Sequence, residues 1–236
     1  MMQFKHPNII KVKEFFPLRS NFYMVMEYID GYSLDKIIKQ ELKIPLINCA
    51  IILHQVCQGL KYAHDKGVIH RDIKPANVLI GKNGKIKLTD FGIATSDDEE
   101  DERLTKTGIA IGTPAYMSPE QIKSTKHVDK SSDIYSLGIM FYEMLTGKKP
   151  YASDFSDSTI EKINRGKYIM PEKLNPEIPG SLRSLIKKSV HHKINSRYKN
   201  IDLLLKVLSL FLKKLQDQKD MDTQIKKFIT RIGKSI

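Results

Sequence analysis

The feature that most restricts the fold is a pair of long apolar segments that only a sizeable helical core can bury. Over 46–63 the apolar positions Leu46, Ile47, Ala50, Ile51, Leu53, Val56, Cys57, Leu60 and Ala63 recur at helical spacing, with Gly67 just past the end. The stretch 134–145 is nearly all apolar and halts at Gly147. Helices apolar around most of their circumference must be covered on most sides. A chain of 236 residues is long enough for that, as one large domain or two small lobes.

The remaining segments arrange themselves around these helices. Phe22-Tyr23-Met24-Val25-Met26-Glu27-Tyr28 is a bulky apolar run that stops at Asp30-Gly31, as a buried strand would, and 8–16 is a second run before it. Val78-Leu79-Ile80 and Lys85-Ile86-Lys87-Leu88 flank Gly81-Lys82-Asn83-Gly84 and read as two short strands joined by a turn. After residue 120 the pattern is helical, with amphipathic stretches at 158–164, 181–190 and 201–215. No internal repeat or flexible linker is visible. The expected class is α+β, a strand-bearing beginning followed by a mainly helical body.

Composition narrows the setting. No uninterrupted apolar stretch reaches the roughly 18 residues of a membrane helix, and Gln3, Lys5, His6 and Pro7 interrupt any signal-peptide core at the start. Cys49 and Cys57 sit among Ile and Leu and read as free, buried thiols. The expectation is a soluble protein of the cytoplasm. The formal charge of +12 belongs to the second half: residues 1–120 carry 16 Lys and Arg against 15 acids, and 121–236 carry 23 against 12. The cations are mostly Lys, with no interleaved aromatics or Arg cluster, so a solvated surface is expected rather than a nucleic-acid face.

Chemistry concentrates in two loops. His70-Arg71-Asp72-Ile73-Lys74-Pro75-Ala76-Asn77 is followed, thirteen residues after Asn77, by Asp90-Phe91-Gly92. Phosphoryl transfer needs a carboxylate to receive the hydroxyl proton, a cation near the transferring phosphate, and oxygen ligands that hold Mg²⁺ against a nucleotide. Asp72 suits the base, Lys74 the cation, and Asn77 with Asp90 the magnesium ligands. The intervening hairpin would return the chain to its starting point and set the loops side by side. Alone, an Asp-Phe-Gly tripeptide is usually a turn and a His-Arg-Asp is usually surface; their order and spacing carry the reading.

At these residues the chain resembles the eukaryotic-type protein kinase family, over nearly its whole length. Lys5-His6-Pro7-Asn8-Ile9 looks like the approach to the fourth strand of the small lobe, and Met26-Glu27-Tyr28-Ile29 like the gatekeeper and hinge. Gly112-Thr113-Pro114-Ala115-Tyr116-Met117-Ser118-Pro119-Glu120 resembles the end of the activation segment, with Ser118 where Ala is usual. Asp133-Ile134-Tyr135-Ser136-Leu137-Gly138 is similar to the buried helix that anchors the catalytic loop, and Arg197 stands where the family's arginine pairs with Glu120.

The resemblance implies a protein-kinase-like fold with a complete, mainly helical C-lobe and an incomplete β-rich N-lobe. Residues 1–29 would be the N-lobe remnant and hinge, 30–216 the C-lobe and 217–236 a basic extension. It implies ATP and Mg²⁺ as cofactors, with adenine between Leu79 and the hinge backbone at Glu27 and Ile29, and Met26 limiting the pocket's depth. His70 and Phe91, with Val12 above, would stack as a spine, and Asp133 would accept backbone hydrogen bonds from the catalytic loop. Lys74 with Thr113 resembles the Ser/Thr branch, so the acceptor would be a Ser or Thr of a protein substrate, and 104–113 with Ser118-Pro119-Glu120-Gln121 looks closest to the bacterial eukaryotic-like kinases, with protist kinases as the alternative. Arg71 would pair with a phosphate on Thr105 or Thr107.

Three pieces of the pattern are unassigned: the glycine-rich loop, the strand lysine and its helix glutamate. Counting back from His6, the glutamate would lie upstream of Met1, so the chain is expected to begin inside that helix, bind Mg-ATP weakly and turn over slowly. Two readings follow, a protein kinase represented by an N-terminally incomplete domain, and a kinase-fold scaffold without efficient transfer. Small-molecule kinases lack the segment 112–120. A nucleic-acid module would account for 14 basic against 4 acidic residues over 180–236, yet Leu203, Leu204, Val207, Leu208, Phe211, Leu212 and Leu215 form a core-facing stripe there. Oligomeric state has no signature in the sequence.

Overall fold

The computed structural model describes residues 4–19, 21–41, 43–91, 114–124, 128–215 and 221–233. Strands β1 (Val12–Leu18) and β2 (Asn21–Met26) pair antiparallel, with Phe16 opposite Tyr23. A second sheet has the order β3-β4-β5, from β3 (Gly31–Ser33), β4 (Val78–Gly81) and β5 (Ile86–Leu88). Helices α1 (Leu34–Gln40) and α2 (Leu46–Asp65) separate β3 from β4. The helical body follows: α3 (Pro119–Lys123), α4 (Lys130–Thr146), α5 (Asp157–Arg165), α6 (Pro171–Leu174), α7 (Gly180–Ser189), α8 (Ile201–Leu215) and α9 (Met221–Ile232).

The two apolar segments become the centre. Helix α2 packs against α8, α4, α9 and β5, and α4 packs against α7. Both are buried around nearly their whole length, so the core cluster runs from Phe4 to Ile232. Burial at roughly 25 cal/mol per Å² of apolar surface is what holds such helices, whose own propensity is modest. Gly59 shows how closely the pieces meet: a Cβ there would lie 2.8 Å from the carbonyl oxygen of Asn8, so a side chain would push the segment before β1 off α2. Cys49 and Cys57 are free and buried, and burial pushes both thiols well up.

The expected helices at 158–164, 181–190 and 201–215 appear within a residue at each end. Ser156 caps α5 by accepting the Thr159 N–H, and Ser118 forms a capping box with Gln121 on α3. The hairpin forms as expected, with Val78 opposite Leu88. Two expectations are corrected. The buried stripe of α8 is narrower than expected: Leu204, Leu208, Phe211 and Leu212 face the core, while Leu203 and Leu215 lie off that face and are 40% and 53% exposed. The run 22–28 is not a buried strand: Phe22 is 73% and Tyr28 87% exposed. Its strand pairs only with β1, and no third layer covers the pair among the described residues. The rings instead cover one another across the strands, Phe15 on Phe22 and Phe16 on Tyr23.

Candidate active site

Asp133 is the anchor of the site. It lies in the first turn of α4 and is 1% exposed, where an unsolvated carboxylate is costly unless it is hydrogen-bonded. Its Oδ2 accepts the backbone N–H of His70 at 2.9 Å and the Nε2–H of His64 at 2.7 Å, while Oδ1 accepts the N–H of Arg71 at 2.9 Å. So held, Arg71 adopts a left-handed backbone with φ 67°. Such a residue costs about 1–3 kcal/mol and persists only where its surroundings over-determine it. A second constraint comes from α3, whose Gln121 donates from Nε2 to the Arg71 carbonyl at 2.7 Å.

His70 transmits this anchoring to the second loop. Its Nε2–H donates to the Thr89 carbonyl at 2.9 Å, and its Nδ1 receives the Asp72 N–H at 3.3 Å. A carbonyl can only accept, which assigns the ring proton to Nε2. Burial holds the ring's pKa below 6.5 against the opposing charge of Asp133, so the imidazole is neutral at pH 7.

The chemically active groups follow within a few residues. Pro75 opens a 3₁₀ turn over Pro75–Asn77, where its fixed φ suits the first position. The turn aims Asn77 back at the loop, and its Nδ2 donates to the Asp72 carbonyl at 2.8 Å and to Asp72 Oδ2 at 3.0 Å. Lys74 Nζ lies 2.7 Å from the same Oδ2. The Asp72 side chain keeps 47% of its surface exposed, so a hydroxyl from solvent can reach it. Asn77 also accepts the Thr89 N–H through its carbonyl at 2.9 Å, one residue before the exposed Asp90. Asp90 has φ 57°, a conformation Asp tolerates better than most residues, and receives the Thr89 hydroxyl at 3.4 Å. The two loops therefore meet through Asn77 and Thr89. With both its hydrogens committed to Asp72, the Asn77 amide has only Oδ1 left for a cation.

Phe91 stacks on His70 with ring centroids 4.5 Å apart. Phe4 also meets Phe91, edge-on at 5.5 Å, a contact that nothing in the sequence announces. Val12 is buried at the start of β1. Leu79 lies mid-strand in β4 opposite Ser33 and Lys87, and Met26 ends β2. Lys87 was also missed. Its Nζ lies 2.6 Å from Glu27 Oε1 and donates to the Ile9 carbonyl at 3.3 Å, and Glu27 Oε1 accepts the Lys11 N–H at 2.8 Å. Burial pushes the Glu27 carboxyl up, but Lys87 and the Lys11 amide more than offset it and hold its pKa below 4.5. The signal available was a lysine at an inward-facing strand position, which needs an acid.

Behind the loop, Glu120 and Arg197 form a bidentate pair. Arg197 Nη1 and Nη2 lie 2.6 and 2.8 Å from Glu120 Oε1 and Oε2, the Ser132 hydroxyl donates to Oε1 at 2.7 Å, and the guanidinium lies over the Tyr135 ring. Gly92, Thr105, Thr107, Thr113 and the acidic run 97–102 lie outside the described residues.

This arrangement was compared with known proteins. Residues 1–208 match the family described as "Protein kinase domain". A Clostridium acetobutylicum protein named "Probable serine/threonine-protein kinase" is 40% identical over 187 residues, 79% of this chain and 28% of its own length. The serine/threonine-protein kinase PknB of Mycolicibacterium smegmatis is 36% identical over 176 residues, covering 75% of this chain and again 28% of the relative. The chain thus spans little more than a quarter of either relative. Among solved structures, the crystal structure of Rad53 1–466 in complex with AMP-PNP matches with a TM-score of 0.73 and 28% identity, covering 86% of this chain and 51% of that one. With the anchored loop, the hairpin and the buried ion pair all inside the matched residues, the chain belongs to the protein kinase family.

Proposed function

We propose that the chain is the catalytic part of a protein serine/threonine kinase, which moves the γ-phosphoryl group of ATP to a Ser or Thr hydroxyl of a protein. The observation that carries this is the meeting of Lys74 and Asn77 on one Asp72 carboxylate oxygen, with the second loop tied to the first through Thr89, the residue before Asp90. The similarity to proteins named serine/threonine-protein kinases supports the same reading. Kinases of this family generally use ATP with Mg²⁺.

The donor set fits that ion. Among the described residues no cluster of three or more His, Cys, Asp and Glu could enclose a metal. Mg²⁺ is commonly held by one or two carboxylates plus substrate phosphates, and Asp90 with Asn77 Oδ1 supplies that number. Bound there, Mg²⁺ would neutralise charge on the phosphates. Asp72 takes the proton from the acceptor hydroxyl, and Lys74, at 2.7 Å from it, is placed to meet the transferred group. Met26, Glu27, Ile29 and Leu79 would flank the adenine, and Thr113 would join Lys74 in setting the Ser/Thr branch.

Regulation fits the same loop. A phosphate on Thr105 or Thr107 would pair with Arg71, next to the base in sequence and already held in a left-handed backbone. No described helix is long and apolar enough to cross a membrane. A domain that uses Mg-ATP would work in the cytoplasm. The 236 residues hold no glycine-rich phosphate loop, so transfer by this chain is expected to be slow.

The test is single-turnover transfer from radiolabelled Mg-ATP to a Ser/Thr-rich protein, comparing the wild-type chain with Asp72→Asn and Asp90→Asn. Loss of label in both variants, with unchanged circular dichroism, supports the reading. A retained rate in Asp72→Asn overturns it.

A further inference from the structure

Helix α9, Met221–Ile232, lies beyond residues 1–208, the part that matches the kinase domain, yet it is built into the core. Its buried face is Ile225, Phe228, Ile229 and Ile232, packed on α2 and β4. Its two ends are fixed by specific contacts. Gly84, at the tip of the β4–β5 hairpin, has φ +88°, and a Cβ there would lie 2.1 Å from the Asp222 carbonyl oxygen, so the first turn of α9 rests directly on the hairpin. Near the other end Arg231 Nη2 lies 3.1 Å from Glu41 Oε2, just after α1.

A polar chain runs inward from this helix. Asp222 Oδ1 accepts from Gln55 Nε2 at 3.0 Å, and Gln55 Oε1 accepts from Asn8 Nδ2 at 2.9 Å, so both ends of a buried amide are used. Asn8 Nδ2 also donates to the Ile86 carbonyl at 3.0 Å, and the Asn8 carbonyl accepts the Leu88 N–H at 2.9 Å. Leu88 in turn accepts the Ile10 N–H at 2.9 Å and stands two residues before Asp90. Buried amide networks of this kind hold one geometry when every member is satisfied. Asp222, exposed on α9, completes the network from outside.

We propose that α9 is a positioning brace for the catalytic hairpin: Asp222 fixes the Gln55 amide, Gln55 fixes Asn8, and Asn8 holds the strand that presents Asp90. Asp222 is a positioning residue and touches no reacting group. The nucleotide part of the inference rests on the kinase reading above; the mechanical part, that Asp222 controls the order of β5, does not.

The test uses the full chain with Asp222→Ala and Asp222→Asn, the latter keeping an oxygen that accepts from Gln55. Three quantities are measured: hydrogen–deuterium exchange of the Leu88 and Ile10 amides, Mg-ATP affinity by calorimetry, and the thermal midpoint. In Asp222→Ala, exchange at Leu88 and Ile10 is expected to quicken about fivefold, the scale of one net hydrogen bond, and affinity to weaken by a similar factor. The midpoint and exchange within α4 should hardly move, and Asp222→Asn should resemble wild type. Unchanged exchange at Leu88, a uniform rise everywhere, or equal damage from Asn and Ala each overturns the brace. Faster exchange with unaltered affinity overturns the positioning role. If wild type binds no Mg-ATP, the kinase reading fails while the exchange measurements still decide the brace. A second variant, Phe228→Asp, removes the helix from its seat and should reproduce the Asp222→Ala exchange pattern; a pattern that spares β5 counts against the proposal.

Discussion

Glu120 and Arg197, 77 residues apart in the chain, meet through two N–H···O contacts of 2.6 and 2.8 Å, with the Arg197 side chain wholly buried. The pair joins the start of α3 to the loop before α8, and α3 in turn holds the catalytic loop through Gln121. A structural ion pair is thereby connected to the backbone of Arg71.

Removing one partner leaves the other charged and buried. Arg197→Ala is expected to destabilise the fold by roughly 3–5 kcal/mol, read from urea denaturation. A loss below about 1 kcal/mol, the range of surface pairs, would show the pair to be solvated in solution.

The same pair has a pH signature. Burial raises the Glu120 carboxyl, but Arg197 and Ser132 outweigh it and hold the folded pKa below 4.5. Its stability contribution is therefore present above 4.5 and lost as pH falls through the folded value. Arg197→Ala should flatten the acid limb of a stability–pH curve; an unchanged limb contradicts this origin.

His70 and His54 act at higher pH. Burial lowers both below 6.5, so the unfolded chain takes up their protons first. Stability from keeping them neutral is full above 6.5 and declines as pH drops below it. Chemical-shift titration should find the midpoint of both rings below 6.5, and either ring titrating above that value refutes the sign.

Lys87→Met should remove the cation that lies 2.6 Å from the Glu27 carboxylate. The Glu27 pKa is expected to rise to or above 4.5, and stability to fall by roughly 2 kcal/mol, as for a hydrogen bond to a charged group. Carboxyl titration by NMR checks the first and thermal melting the second.

The exposed rings of β1 and β2 predict self-association. Phe22, at 73% exposure, contributes little to the fold, so Phe22→Lys should reduce light scattering while leaving the thermal midpoint within about 2 °C. Unchanged scattering would locate the adhesive surface elsewhere.

Legibility in the sequence followed the range of each interaction. The helices over 46–63 and 134–145 were readable because apolar periodicity is a property of neighbours along the chain, and the hairpin because Asn83-Gly84 dictates its turn. Asp72, Lys74, Asn77 and Asp90 were readable because their chemistry sits in two short loops. Helix α1, Leu34–Gln40, was not, since seven residues give too little periodicity. Lys87 looked like any strand lysine until Glu27 stood opposite, and Phe4 had no partner until Phe91 arrived from 87 positions away.

By itself the order of residues determined which chemistry the chain could perform and where its helices would lie, because both depend on groups close together along the backbone. Tertiary structure alone decided that α9 seats on the hairpin, that Lys87 pairs with Glu27, and that the apolar run over 22–28 stays exposed. Burial and buried hydrogen bonds are fixed by whatever surface packs opposite, and a linear sequence does not state which surface that is.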